Sequence, residues 1–385
     1  MAVDFAHYQG REQAFVKHTF LDKYLPALFG RVGWAFNQIV YVDGFAGPWQ
    51  SSAGETFRDT SFGIALRHMT EQQRFFAKKQ RNVRFRAFLV EQDDDSFAQL
   101  QEAVRQFPEV DVSPLHGRME DHAAAIARAI PSNAFSFVLI DPKGFPEINQ
   151  IMALLGRGNS EALVNFMFDF ANRFAGTGLI PALGQWLSSI EDGAWRDRVA
   201  NLSGEAREQE IELMAAEALR SKGNYAFAPV ISVDKVRHDR SLYKLIFLSR
   251  HQDGLKVFRD SQNKALVAQA SARSVVKAQD RAAALAMEDL FGGTDAIPHD
   301  RSSLVMKQGE EQAAQELQAT LQSRGDQGIS WLEVWPPILT KYVVTHSKLG
   351  RIANKFRQQG QVSIPDWPNE QTKIPKDQFR LFWIG

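Results

Sequence analysis

Cysteine is absent from all 385 residues. That excludes disulfides, thiolate zinc sites, iron–sulfur ligation and a cysteine nucleophile together. Net charge is missing too: 45 Lys plus Arg balance 45 Asp plus Glu, so any nucleic-acid surface must be a local patch. No run of about 18 apolar residues occurs, which leaves no helical membrane span to expect. Met1 to Gly10 carries Asp4 and His7 in place of a basic-then-apolar pattern. No secretory leader is expected, and the expected compartment is the cytoplasm. The histidines are scattered. His116 and His122 lie near each other without a carboxylate set at metal spacing, so no metal is expected.

What is present is an ordinary globular composition, 44% apolar, in a chain too long for one core. Ala14 to Phe29 spaces Phe15, Phe20, Leu21, Tyr24 and Leu28 as one helical face. Gln38 to Val42 then reads as a buried strand running into the turn Asp43-Gly44-Phe45-Ala46-Gly47-Pro48. Phe85 to Val90, Val110 to Leu115, Phe135 to Ile140 and Ala162 to Phe168 are further strands, with helices expected over Asp93–Val104 and Met119–Ile130. Such alternation predicts an α/β fold with a parallel, doubly wound sheet and helices on both faces. Ala226 to Val233 and Leu242 to Leu248 read as a hairpin closing one edge, joined by the charged turn Asp234 to Arg240. Beyond Arg250 the texture turns Ala-rich and helical over 265–290, Phe291-Gly292-Gly293-Thr294 breaks it, and Glu310 to Gln322 is a polar helix. The expected division is an α/β domain over 1–255, a helical connector over 256–326 and a C-terminal domain over 327–385.

In doubly wound sheets ligands bind beyond the carboxyl ends of the strands, near the switch in strand order. Three polar stretches fall at such ends: Asp43 to Pro48, Glu91-Gln92-Asp93 and Asp141-Pro142-Lys143-Gly144. Gly44 and Gly47 allow close backbone approach or positive φ, and Glu91 offers a carboxylate to ribose hydroxyls. Each alone also reads as a turn or a helix cap. A pyrophosphate cofactor prefers G-x-G-x-x-G with an acid about 20 residues on, a spacing this turn lacks, so a dinucleotide oxidoreductase is the poorer fit. Asp-Gly-Phe-Ala-Gly matches the Asp-x-Phe-x-Gly turn of S-adenosylmethionine-dependent nucleic-acid methyltransferases. The expected cofactor-binding residues are therefore Asp43, Gly44, Phe45, Ala46, Gly47, Glu91 and Gln92. Asp141, Pro142 and Phe145 stand where amino-methyltransferases keep Asp-Pro-Pro-Tyr, which holds an exocyclic amine and stacks its base. They are the expected catalytic residues, against a plain reading in which Asp141 caps the next helix. Asn172-Arg173 follows the fifth strand, and Arg173 is a candidate phosphate clamp.

Lys17-His18-Thr19-Phe20-Leu21-Asp22-Lys23-Tyr24-Leu25, Tyr41 to Pro48, Ile140 to Gly144 and Leu242 to His251 together resemble the bacterial three-Cys-motif partner proteins. The resemblance covers roughly residues 10–260 and is most specific in Asp43 to Pro48. It implies a Rossmann-like class I methyltransferase sheet and a partner carrying a three-cysteine motif, which must be a separate chain. Trp49 and the stretch Asp59-Thr60-Ser61-Phe62 depart from the family pattern, as Lys143 departs from Asp-Pro-Pro. These departures favour a second expectation, a catalytically degenerate scaffold that binds nucleic acid or the partner.

The C-terminal stretch adds a local charge excess. Lys341, Lys348, Arg351, Lys355 and Arg357 fall within 341–360, where no acid occurs. On a helix over Ser347–Gln359, Lys348, Arg351 and Lys355 share one face, opposite Leu349, Ile352 and Phe356. Helix, helix, then Phe379 to Ile384 as a β wing resembles a winged helix-turn-helix, with Lys348, Arg351 and Lys355 the expected nucleic-acid contacts. A solvated basic face on a protein-docking domain is the plainer alternative.

Overall fold

The β-branched run Ile39-Val40-Tyr41-Val42 forms β1 (Gln38–Asp43), buried on both sides, as a continuous apolar run in a parallel sheet must be. A computed structural model describes residues 3–8, 11–47, 57–142, 144, 146–167, 195–234, 241–287, 301–367 and 374–385. These residues form two compact units, Met1–His251 and Gln252–Gly385.

In the first unit β1 is joined by β2 (Arg84–Glu91), β3 (Asp111–His116), β4 (Phe135–Ile140), β5 (Ser160–Phe166), β6 (Val230–Asp234) and β7 (Ser241–Leu248). The sheet order is β3-β2-β1-β4-β5-β7-β6. Pairings from β3 through to β5 are parallel, and β7 runs antiparallel to both β5 and β6. This is the expected Rossmann-like sheet with helices on both faces. The chain steps outward from β1 to β3 and then returns to β4, so the topological switch lies between β1 and β4, at the ends of Asp43 and Ile140.

Strand alternation sends β1 side chains to two cores. Val40 and Val42 pack with Phe88, Val90 and Val138 beneath α4 (Met119–Ala129), α5 (Ile148–Leu155) and α7 (Gly204–Lys222), the last preceded by the short α6 (Trp195–Ala200). On the opposite face Tyr41 stacks on Phe137 (6.2 Å), and Tyr24 of α1 (Glu12–Ala35) meets Phe137 and Phe247. Beside α1 lies α2 (Ser61–Lys78), capped by Thr60, whose hydroxyl accepts from the Gly63 amide at 3.1 Å. α2 is absent from the sequence reading because its first turns, Ser61-Phe62-Gly63-Ile64-Ala65-Leu66, are wholly buried. Such a run loses the polar face that marks a helix. α3 (Asp94–Val104) is capped by Asp93, which accepts from Ser96 N at 2.9 Å.

The second unit opens directly with α8 (Gln252–Met287), so helix begins well before the Ala-rich stretch, and continues with α9 (Arg301–Arg324). Then follow β8 (Ile329–Ser330), α10 (Trp331–Lys341), α11 (His346–Gln358), β9 (Val362–Ser363) and β10 (Arg380–Trp383), the strands forming an antiparallel sheet in the order β8-β10-β9. A capping box between Ser330 and Glu333 starts α10. Buried Arg259 of α8 donates to the Leu339 and Thr340 carbonyls (2.5 and 2.9 Å), placing a cation on the C-terminal end of α10.

Gly309 lets α9 pass flush against the chain before α11: a Cβ there would lie 2.5 Å from the Val343 carbonyl oxygen. Alanine gains about 1 kcal/mol of helix propensity but forces backbone apart, at a cost of about 1–3 kcal/mol. Gly309→Ala is therefore expected to lower the denaturation midpoint of this unit. An unchanged or raised midpoint would refute the close contact.

Candidate active site

The carboxyl ends of β1, β2, β4 and β5 open into a cleft of about 640 Å³. Gly44, Phe45, Gly47, Glu91, Gln92, Asp141 and Pro142 all line it. The structure thus brings the three polar stretches to one place. Phe145 lies outside the described residues, as do Pro48, Trp49, Lys143, Asn172 and Arg173.

Asp43 sits beneath the cleft wall, fully buried. Its carboxylate accepts from Ser61 Oγ (2.6 Å), Phe45 N (3.1 Å) and Tyr41 OH (3.1 Å). Burial pushes its pKa up, while the Ser61 and Phe45 hydrogen bonds oppose the rise. The role these contacts give Asp43 is to shape the turn from below. Gly44 N donates to Leu139 O (3.0 Å) and Ala46 N to Val90 O (2.8 Å), tying the turn to β4 and β2. Gly44 is not in the left-handed region. Its glycine requirement comes from α4: a Cβ would stand 2.9 Å from Met119 Cγ. Ala46 is buried with it.

Glu91 ends β2 almost wholly buried, yet on the cleft wall. Its Oε1 accepts from Asp93 N at 2.7 Å, and among the described residues no donor reaches Oε2. Gln92 beside it is exposed.

Asp141 follows β4 and caps no helix, since the residue before α5 is Glu147. Its two oxygens are both engaged: Oδ1 accepts from Asn165 Nδ2 at 2.6 Å, and Oδ2 pairs with the Lys17 ammonium. Asn165 stands on β5 and Lys17 on α1, and both line the cleft. Next to Lys17, His18 is buried with its Nδ1 2.9 Å from Tyr8 OH. Burial, helped by the Lys17 and Arg11 charges, holds His18 well below the usual imidazole range, so the ring is neutral. Arg11 pairs with buried Asp59 at the same rim.

Lys17, Arg11 and Asp59 were not among the expected site residues, nor was Asn165, which falls within the expected strand Ala162 to Phe168. Lys17 carried a signal nonetheless. It precedes Phe20, Leu21 and Tyr24 by three, four and seven residues, on the apolar face of α1. A cation on a buried face requires an anionic partner, and Asp141 is that partner.

In the second unit Lys348 pairs with Glu310 of α9, whereas Arg351 and Lys355 project into solvent. Leu349, Gly350 and Ala353 form the buried face of α11. His116 stacks on Phe97 (4.8 Å), and its carbonyl is 2.8 Å from His122 Nε2. Among the described residues no three potential ligands gather to hold a metal, and no helix is long and apolar enough to cross a membrane.

No family model and no curated protein matches the sequence. Similar solved structures include a Legionella pneumophila protein of the DUF519 family, at 10% identity and TM-score 0.34, over 65% of this chain and 86% of that one. Another is M. jannaschii TYW2, in complex with AdoMet, at 9% identity and TM-score 0.27, over 58% of this chain and 73% of that one. A third is an uncharacterized Listeria monocytogenes protein at 11% identity and TM-score 0.24, over 65% of this chain and 85% of that one.

Proposed function

We propose that the chain is a bacterial, cytoplasmic S-adenosylmethionine-dependent methyltransferase-like protein that acts on nucleic acid. The observation that carries this reading is the cleft at the topological switch, where a glycine turn and a buried carboxylate, Glu91, meet. The donor set fits the cofactor. Glu91 Oε2 is an acceptor for ribose hydroxyls, the turn from Gly44 to Gly47 offers close backbone approach, and Phe45 and Met119 give apolar wall. Gln92 borders the same space. When bound, the cofactor supplies an electrophilic methyl group; the chain's own task is to orient the acceptor toward it.

The second unit completes the proposal as a winged-helix-like nucleic-acid-binding domain. Its antiparallel sheet around α10 and α11 supports this, with Arg351 and Lys355 facing phosphate and Lys348 reaching it only on leaving Glu310. Each phosphate contact steepens the salt dependence of binding by about 0.9 in log–log slope. Replacing both Arg351 and Lys355 with alanine is expected to reduce that slope by nearly 2, read by titration across salt concentrations. An unchanged slope would remove α11 from the interface.

A second reading, a catalytically degenerate scaffold working with a three-cysteine-motif partner, is favoured by one observation: both Asp141 oxygens are engaged by the protein's own groups. The two readings part on methyl transfer. With labelled S-adenosylmethionine and mixed DNA and RNA, the enzyme reading expects label in the nucleic acid. Bound cofactor with unlabelled nucleic acid would leave the scaffold.

A further inference from the structure

The occupied carboxylate of Asp141 raises the question of which group meets the substrate. Each oxygen of Asp141 already accepts one protein donor, so a base amine would have to share it. Asn165 is different. The residue is 6% exposed and lines the cleft, and among the described residues nothing donates to its buried Oδ1. The amide cannot be turned over to relieve this, because its oxygen would then face the Asp141 carboxylate. A buried acceptor without a donor costs free energy that a ligand N–H can recover. Lys17 complements it. An ammonium carries three donors, and Asp141 Oδ2 takes one.

We infer that Asn165 Oδ1 is the acceptor that receives a nucleobase N–H in this cleft, with Lys17 donating to the ring acceptor beside it. Asp141 is a positioning residue that holds the two side by side. Because Lys17 and Asn165 bind the two oxygens of one carboxylate, they are held as neighbours, one with donors to spare and the other with an acceptor. That pair matches the planar N–H and acceptor edge of a pyrimidine or purine. The inference deepens the nucleic-acid reading above and rests on it for the substrate class.

The test is a thermodynamic cycle between ligand and protein, run by calorimetry on the full chain without methyl transfer. The ligands are cytidine against N4,N4-dimethylcytidine and uridine against N3-methyluridine, each pair differing in the N–H. In the unmodified protein, removing the N–H is expected to weaken one pair by about tenfold or more. In Asn165→Leu the same removal should change affinity by no more than about twofold. Asp141→Asn keeps an oxygen for Asn165 to donate to and should preserve the tenfold effect. A direct Asp141 contact would lose it. An equal penalty in the unmodified protein and Asn165→Leu overturns the assignment, as does failure of every nucleoside to bind at millimolar concentration. Should Asn165→Leu not fold, the methylated ligands on unmodified protein still decide, since indifference to the N–H overturns it. S-adenosylmethionine titrated into the same preparations separates the two levels. Cofactor binding without nucleoside discrimination sinks only this inference, and absent cofactor binding sinks the reading beneath it.

Discussion

Glu91→Ala is expected to weaken S-adenosylmethionine binding by about 10- to 100-fold. The estimate follows from removing a charged acceptor from a ligand's hydroxyl pair, worth about 1.5–3 kcal/mol, at 1.4 kcal/mol per tenfold. The residue is well placed for a specific effect. Its only side-chain hydrogen bond among the described residues is accepted from Asp93 N, so the fold loses little. Asp43→Ala should behave differently. Three donors converge on that carboxylate, and deleting it strands them in a dry interior, so stability should fall along with affinity. Calorimetric titration paired with urea denaturation separates the cases. An unaltered dissociation constant for Glu91→Ala, in a protein that binds the cofactor, would move the ribose elsewhere.

The second large effect concerns pH. Glu161 on β5 is buried, and burial pushes its pKa from 4.5 up to about 7, against the hydrogen bonds from Tyr24 and Ser249. The network accommodates a proton. Tyr24 OH donates to Oε2, a protonated Oε1 donates to Ser249 Oγ, and Ser249 turns its own hydrogen to the His251 carbonyl 2.9 Å away. Between pH 4.5 and 7 the native state therefore binds more protons at this site than the unfolded chain. The sign follows: stability contributed here is complete below pH 4.5 and is lost as pH rises through 7. The span corresponds to about 3 kcal/mol. Glu161→Gln carries the neutral pattern permanently and should flatten this loss, measured as urea stability at pH 5 and pH 8 against the unmodified chain. Parallel pH dependences in the two proteins would show that Glu161 is ionised throughout.

Much of the first unit was legible because parallel strands are short apolar runs ending in polar turns. Phe135 to Ile140 occurs as a strand at its expected bounds, and the late pair 226–233 and 242–248 was rightly placed as a hairpin at one edge. The site was legible in its turns and illegible in its depth. Spacing showed that Asp43, Glu91 and Asp141 end strands. It could not show that Asp43 would be turned inward on Ser61, or that α1 would deliver Lys17 to Asp141 from 124 positions away. Such pairings depend on which helix covers which strand end, a tertiary fact without a local signature. α2 escaped for the opposite reason, since its entry is so deeply buried that periodicity vanishes there.

The reversed strand β7 has a consequence for how the molecule is made. It lies between β5 and β6, although β6 is synthesised first. As the chain leaves the ribosome, β5 presents an open edge and β6 arrives before the strand that belongs there. A direct β5–β6 pairing would be parallel, slanted in its hydrogen bonds and closed to the latecomer. Tyr243 and Leu242, which line the cleft, come with β7. A nascent chain that pairs too early would thus keep most of its sheet and forfeit its binding cleft.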